Sequence, residues 1–313
     1  MSPRDADRSR VKTVPITHRT NKVDRSLLAV PPGDDRSFAA FLASLPDVLA
    51  ARDLGVVIAA VREARAARRG VVLLIGGHVI KVGLGPLLIR LLEEGIVTHV
   101  AMNGAAAIHD FELAAFGGTS EDVEAGLGDG TFGMAEETGR EMNLAIRHAA
   151  ANGLGMGEGL ATALAAQPDL PGRAESVLCA AARHQVPVTV HAALGAEIIH
   201  QHPLADGAAI GQTSLKDFDR LAGSLPGLDA GGAVLNWGSA VILPEVFLKA
   251  LTVARNLGEG RPRDFLAADF DMIRHYRPAM NVVRRPTRDG GRGVQLTGHH
   301  EILLPLLVWG ILA

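Results

Sequence analysis

His109-Asp110-Phe111-Glu112 is the densest polar cluster in an otherwise apolar stretch of the chain. An imidazole titrates near neutrality, and a carboxylate beside it fixes its tautomer and shifts its pKa. The set can therefore take and return a proton as a general acid/base. The same residues also suit a local use, because behind a strand Asp110 and Glu112 can cap the amides of a helix start. Both uses stand on the sequence. His191 closes an apolar run and is a second candidate for proton transfer. Asp110 is the candidate orienting carboxylate, and Glu112, Glu137 and Glu197 are candidate pocket walls.

Other residue types are weighed against these. His191, His200 and His202 fall in one segment and His299-His300-Glu301 in another. Helical metal ligands are spaced by three or four, whereas His200 and His202 diverge on a helix and adjacent His299 and His300 rarely share one ion. No metal is assigned. A serine hydrolase would need a nucleophile elbow that the chain lacks. The single cysteine, Cys179, lies among Val177, Leu178 and Ala180, as a buried helix thiol would. Gly76-Gly77-His78 and Gly83-Leu84-Gly85 follow an apolar run, where glycines let the backbone approach a pyrophosphate and a helix N-terminus favours its charge. The full GxGxxG spacing is absent.

The elements that position these residues are legible from Val71 to Glu124. Val71–Ile75 has strand length, Pro86 opens a helix over Leu87–Leu92 that Gly95 ends, and Val97–Met102 reads as a second buried strand. Strand, glycine turn, helix and strand within roughly thirty residues form a βαβ unit with parallel strands and a right-handed crossover. Ligands of such sheets sit past the strand carboxyl ends, where Gly76–Gly85 and Asn103–Glu112 stand. Further strands are expected at Val188–His191, Gly232–Asn236, Ala267–Met272 and Ala279–Val283. Helices are expected at Leu54–Arg68, Met134–Ala151, Glu175–His184 and Pro244–Asn256, with a glycine-rich loop at Gly126–Gly133. The alternation gives an α/β fold with a doubly wound, mostly parallel, Rossmann-like sheet.

Residues 1–36 are polar with a turn at Pro31–Asp34 and read as an N-terminal arm, leaving 37–313 as a single α/β domain. A net charge of −3 with scattered Lys and Arg gives no basis for binding nucleic acid. One cysteine excludes an intrachain disulfide framework and favours a reducing compartment. No apolar run follows the N-terminal charges, and Ile302–Ala313 is too short to span a bilayer, so a cytoplasmic protein without a membrane partner is expected.

Five stretches taken together resemble the deoxyhypusine synthase family, whose members are doubly wound and NAD-dependent. Gly76–Leu92 is similar to the family's NAD loop, which implies NAD contacts at Gly76, Gly77, His78 and Gly83. Asn103–Asp110 stands where the family has a Thr-Ala-Gly-Gly turn and an acidic triplet, implying contacts from Asn103, Gly104 and Ala105. Ser176–His191 resembles a helix and a His-X-Pro-Val strand. Leu235–Val241 falls at a triple-glycine strand end, which implies Asn236, Gly238 and Ser239. Thr297-Gly298-His299 and Ile302–Val308 resemble the closing strand end and helix, implying Gly298 and His299. The resemblance also implies a homotetramer with shared sites.

The departures bear on chemistry. No lysine follows Lys249, so the segment carrying the family's imine-forming lysine is missing, and His109, His191 and His299 replace family carboxylates. Arg284, Arg285 and Arg292, if near the site, would suit an anionic or neutral polar substrate. The HDFE wording also resembles archaeal ornithine cyclodeaminases. The implied function is an NAD-dependent transferase- or oxidoreductase-like enzyme, oxidising a C–H beside an amine or hydroxyl of a small polar molecule. The alternatives are NAD binding without turnover and ammonia elimination.

Overall fold

Five apolar residues in a row, three of them β-branched, make Val71–Ile75 the central strand β1, and all five are fully buried. The computed structural model describes residues 5–258 and 260–313. Helices α1 (Phe38–Ser44) and α2 (Leu49–Ala66) precede β1. Helices α3 (Gly77–Lys81) and α4 (Gly85–Glu93) connect it to β2 (His99–Asn103). Five helices then run before the next strand: α5 (Gly104–Phe116), α6 (Val123–Asp129), α7 (Glu136–Ala151), α8 (Met156–Ala165) and α9 (Val177–His184). Strand β3 (Val188–His191), helix α10 (Gly207–Ser224), strand β4 (Ala233–Trp237) and helix α11 (Ile242–Leu257) follow. A π-helix (Pro278–Arg284) separates β5 (Leu266–Asp271) from β6 (Arg292–Thr297), and α12 (His300–Leu312) closes the chain.

The sheet order is β3-β2-β1-β4-β5-β6, and every described pair is parallel. This is an α/β Rossmann-like fold, and its order reverses between β1 and β4. Ile75 is level with Met102 of β2 and with Trp237 of β4, so the carboxyl ends of the three strands form one rim. One face of the sheet packs on α2 to α5, α7 to α9 and α12, and the other on α10 and α11. Alternation along β3 sends Val188 and Val190 to the first face. Thr189 and His191 therefore point to the second. The outer edge of β3 is closed by Asp217 of α10, which accepts the amides of Val190 and Gly157, each at 2.8 Å.

Several expected elements differ. Ala279–Val283 lies in the π-helix, whose first turn is opened by Pro278, and the sixth strand is Arg292–Thr297 instead. The β-branched pair Val282-Val283 suggests a strand, but both residues pack inward from the π-helix against α11 and β5. The glycines of Gly76–Gly85 flank the short helix α3 rather than forming one loop. In Gly126–Gly133 the first residues belong to α6, which Asp122 caps and Gly130 ends in the left-handed conformation. Residues 5–36 hold three single 3-10 turns and no buried residue. Two backbone bonds tie this stretch down, Val30 N–H to Ser44 and Asp47 N–H to Leu27. Among the described residues no helix is long and apolar enough to cross a membrane.

Candidate functional site

Helix α5 begins where β2 ends because the Asn103 side chain accepts the Ala106 amide at 2.9 Å. That start fixes the helix phase. Ala105, Ile108, His109 and Glu112 fall on one face at spacings of three and four, and they wall a cavity of about 260 Å³ past the strand carboxyl ends. Lys81 of α3, Glu121, Phe132, Glu197 and Ile198 are also part of its lining. Glu121 accepts the Gly133 amide at 3.0 Å and so folds the segment 117–135, with α6, over the opening.

A relay orients His109. Thr119 donates its hydroxyl to Glu112 Oε2, and Thr138 donates to Glu112 Oε1 at 3.0 Å. With its proton given away, Thr119 Oγ1 accepts from His109 Nδ1–H at 2.7 Å. The imidazole is thus held as the Nδ1–H tautomer, and Nε2 keeps its lone pair. Burial, helped by the Lys81 ammonium, lowers the His109 pKa to about 4, so the ring is neutral near pH 7 and is a proton acceptor.

Glu197 sits over the first turn of α5, where a Cβ on Gly104 would collide with its carboxyl carbon. Its Oε1 accepts the Ala193 amide at 2.8 Å. Its Oε2 lies 3.1 Å from His200 Nε2 but out of line for a hydrogen bond, so both atoms are buried without a partner among the described residues. Burial raises the Glu197 pKa to about 7 and lowers that of His200. A carboxyl that titrates near neutrality can take or give a proton near pH 7.

The other expected residues divide. Asp110 does not reach His109. Its oxygens accept Ser176 Oγ–H at 2.7 Å and the Val177 and Leu178 amides at 2.8 and 2.9 Å, so it anchors the start of α9. His191 lies on the other face of the sheet, its Nε2 bonded to Thr189 Oγ1 at 3.0 Å. Glu137 is exposed on α7 and does not line the cavity. Arg292 begins β6 at the amino end of the sheet. Arg284 and Arg285 precede Pro286, whose carbonyl is held by Arg255 in the last turn of α11. Arg285 turns back to Asn281 Oδ1 at 2.6 Å and to Tyr276, and Asn281 bonds Glu245 in the first turn of α11. None of the three arginines is among the residues that line the His109 cavity. His200 turns to Glu197 and His202 to Glu136, and among the described residues no three His, Cys, Asp or Glu side chains gather as a metal set.

Of the residues expected to touch a dinucleotide, Asn103, Gly104 and Ala105 lie at the end of β2 and Gly298 and His299 past β6. Gly76, Gly77, His78, Asn236, Gly238 and Ser239 stand where the strand order reverses. Gly76 and Gly238 meet there backbone to backbone, and Gly76 N–H donates to Trp237 O at 2.9 Å. Gly238 has φ +69°, and a Cβ on it would stand 2.7 Å from His300 Cε1. The Asn236 amide donates to Asp269 at 2.8 Å and to Ser239 O at 3.0 Å, while Ser239 Oγ accepts the Leu243 amide of α11. Gly77 backs onto Ala105 and His109. Gly83 turns with φ +80° into open space, so it serves the turn and not a close approach. Gly298 packs on Leu303. His299 is exposed, whereas its neighbour His300 is buried with its ring centroid 5.4 Å from that of His78.

His300 supplies a test of whether NAD fits. Its Nε2 donates to Phe270 O at 3.0 Å, so Nδ1 is an acceptor, buried and without a partner among the described residues. An unpaired acceptor at this crevice suits a hydroxyl or amide donor of a dinucleotide. The end of β2 departs from the usual pattern, since Asn103 caps α5 where an acidic residue would bind ribose. The residues fit the group at the β1–β4 crevice.

No family model matches the chain, and no curated protein matches its sequence. Solved structures do. A candidate deoxyhypusine synthase from Entamoeba histolytica aligns at TM-score 0.52 and 12% identity over 88% of this chain and 93% of its own. AgrE, solved with ornithine and NAD+, aligns at TM-score 0.50 and 18% identity over 84% of this chain. The cyanobacterial arginine dihydrolase ArgZ gives TM-score 0.49 and 15% identity over the same share. The chain spans about a third of the length of these last two, 34% and 33%. The likeness is one of fold alone, shared with the candidate deoxyhypusine synthase and with AgrE.

Proposed function

We propose that the chain is an NAD-dependent enzyme that oxidises a C–H beside an amine or hydroxyl of a small polar substrate. One observation carries the proposal: a neutral imidazole of fixed tautomer, His109, walls a cavity at the strand carboxyl ends together with Glu197, whose carboxyl titrates near neutrality. The fold shared with a chain solved with ornithine and NAD+ supports the same reading. His78, Gly238 and His300 would hold NAD, which when bound supplies the hydride acceptor. His109 Nε2 takes the proton that leaves the substrate nitrogen or oxygen, and the Glu112–Thr119 relay keeps that ring in position. Glu197 and Glu121 favour a substrate with a cationic or donor group, and Ile108, Phe132 and Ile198 hold its carbon skeleton and keep water out.

The purified protein is incubated with NAD+ and a panel of small primary amines and amino alcohols while NADH absorbance is followed. NADH should form with at least one member, and His109→Asn should lower the rate by roughly a hundredfold or more. If NAD+ binds and every member leaves it oxidised, binding without turnover replaces this proposal.

A further inference from the structure

A directional chain of hydrogen bonds runs through the opposite face of the sheet. Ser224 donates its hydroxyl to Arg220 O at 3.1 Å, so its oxygen accepts from His99 Nδ1–H at 2.8 Å. His99 Nε2 then bears a lone pair and accepts from Thr189 Oγ1–H at 3.0 Å. Thr189 has no second proton, so it accepts from His191 Nε2–H at 3.0 Å. Every link is committed in one direction. Burial lowers the pKa of His99 to about 3 and that of His191 to about 4, so both rings are neutral near pH 7.

The chain ends on His191 Nδ1, left as a lone pair. This nitrogen accepts no hydrogen bond among the described residues, yet it is not one of the buried orphan atoms, so it opens onto the surface. There His191 lines a groove of about 300 Å³ between β3, α10 and α11, with Leu194, Ile210, Leu215, Phe218 and Val246 as walls. The one hydroxyl among the described residues of the groove, Ser214, is already used, accepting from Ala192 N–H at 3.0 Å and donating to Val190 O. Among the described residues no charged side chain lines it. His191 is 3% exposed, so this is a built acceptor and not a surface side chain.

We propose that this groove is a second ligand site, separate from the His109 cavity, for a small neutral molecule with an apolar body and one N–H or O–H donor. His191 Nδ1 reads the donor, and the Ser224–His99–Thr189 chain keeps that nitrogen unprotonated. An anion is disfavoured because nothing in the groove donates to it, and a cation because no carboxylate faces it.

Indole, an apolar ring with a single N–H, is the probe. Long-range proton–nitrogen spectra of the histidine side chains are recorded on the full chain during an indole titration. His191 should show Nε2 protonated and Nδ1 bare, with a saturable shift of Nδ1 as indole is added. Gly211→Leu fills the groove from α10, where a Cβ meets nothing within 4 Å, so the fold tolerates it. It should weaken the response at least tenfold and leave the His191 tautomer unchanged. A protonated Nδ1, an Nδ1 signal that indole does not move, or a response undiminished by Gly211→Leu would each overturn the proposal.

Discussion

Gly104 and Glu197 are complementary: a Cβ on residue 104 would stand 2.5 Å from Glu197 Oε1. The carboxyl rests on the first turn of α5 only because that residue has no side chain. A helix N-terminus favours a carboxylate, while burial disfavours one. Burial wins here, since the pKa rises to about 7. The same placement brings Glu197 into the cavity walled by His109.

Glu197 therefore links stability to pH. Its folded-state pKa of about 7 lies above the ordinary value of 4.5, so folding is favoured by protonation. This contribution is complete below pH 4.5 and is lost as pH rises through 7. Glu197→Gln keeps the shape and removes the titration. Its stability should gain on the native protein by about 1.4 kcal/mol per pH unit across that window. Urea denaturation at several pH values measures the difference, and a pH-independent gap would mean that the carboxyl titrates normally.

Thr119→Val breaks the link between His109 and Glu112 without emptying the site. The imidazole then chooses its tautomer freely, and half or more of the rings lose the bare Nε2. In the NADH assay kcat should fall by about twofold or more, with KM little changed. Thr119→Ser should restore it. A rise in KM alone would assign Thr119 to substrate binding.

Asp110 is expected to matter for stability and not for proton transfer. Asp110→Ala orphans two amides and a hydroxyl at the start of α9, at a cost of about 3 kcal/mol or more. The denaturation midpoint should drop while NAD+ affinity stays the same. Unchanged stability with collapsed activity would return Asp110 to the chemistry.

Assembly is proposed from the surface. Trp309 is 60% exposed and Ile302 57% exposed on α12, and Phe38 packs on Trp309 beside the exposed Phe41. Such an apolar face suits a second copy of the chain. Light scattering should give a multiple of 32.8 kDa, and the chain's own mass at micromolar concentration would refute it.

Much of the frame is legible in the residues. The βαβ unit from Val71 to Asn103 and the strands near 188, 233 and 266 stand out as apolar runs between glycine and proline signals. Strand β6 does not, because RGVQLT is half exposed and carries a charge. Helix α10 is obscured by glycines at 207, 211 and 223. Within the site, the pairing of His109 with Glu112 through Thr119 depends on a segment folding back ten residues later. The partner of Asp110 lies 66 residues away, so its role as an anchor has no local signature. His191 is different: in Val188–His191 the apolar residues alternate with Thr189 and His191, and that alternation alone places the histidine on the face opposite α5. Between His299 and His300 the sequence offers no choice, since which of the two is buried depends on where α12 begins.

NAD is expected to bind at the β1–β4 crevice beside His300. Titration calorimetry of NAD+ into the full chain tests it most directly. Saturable heat with a Kd below about 1 mM, roughly −4 kcal/mol, is expected. Gly238→Ala should weaken it, since the added methyl displaces the His300 ring. No heat from NAD+ or NADH at several times that concentration, with the protein folded, would refute NAD binding.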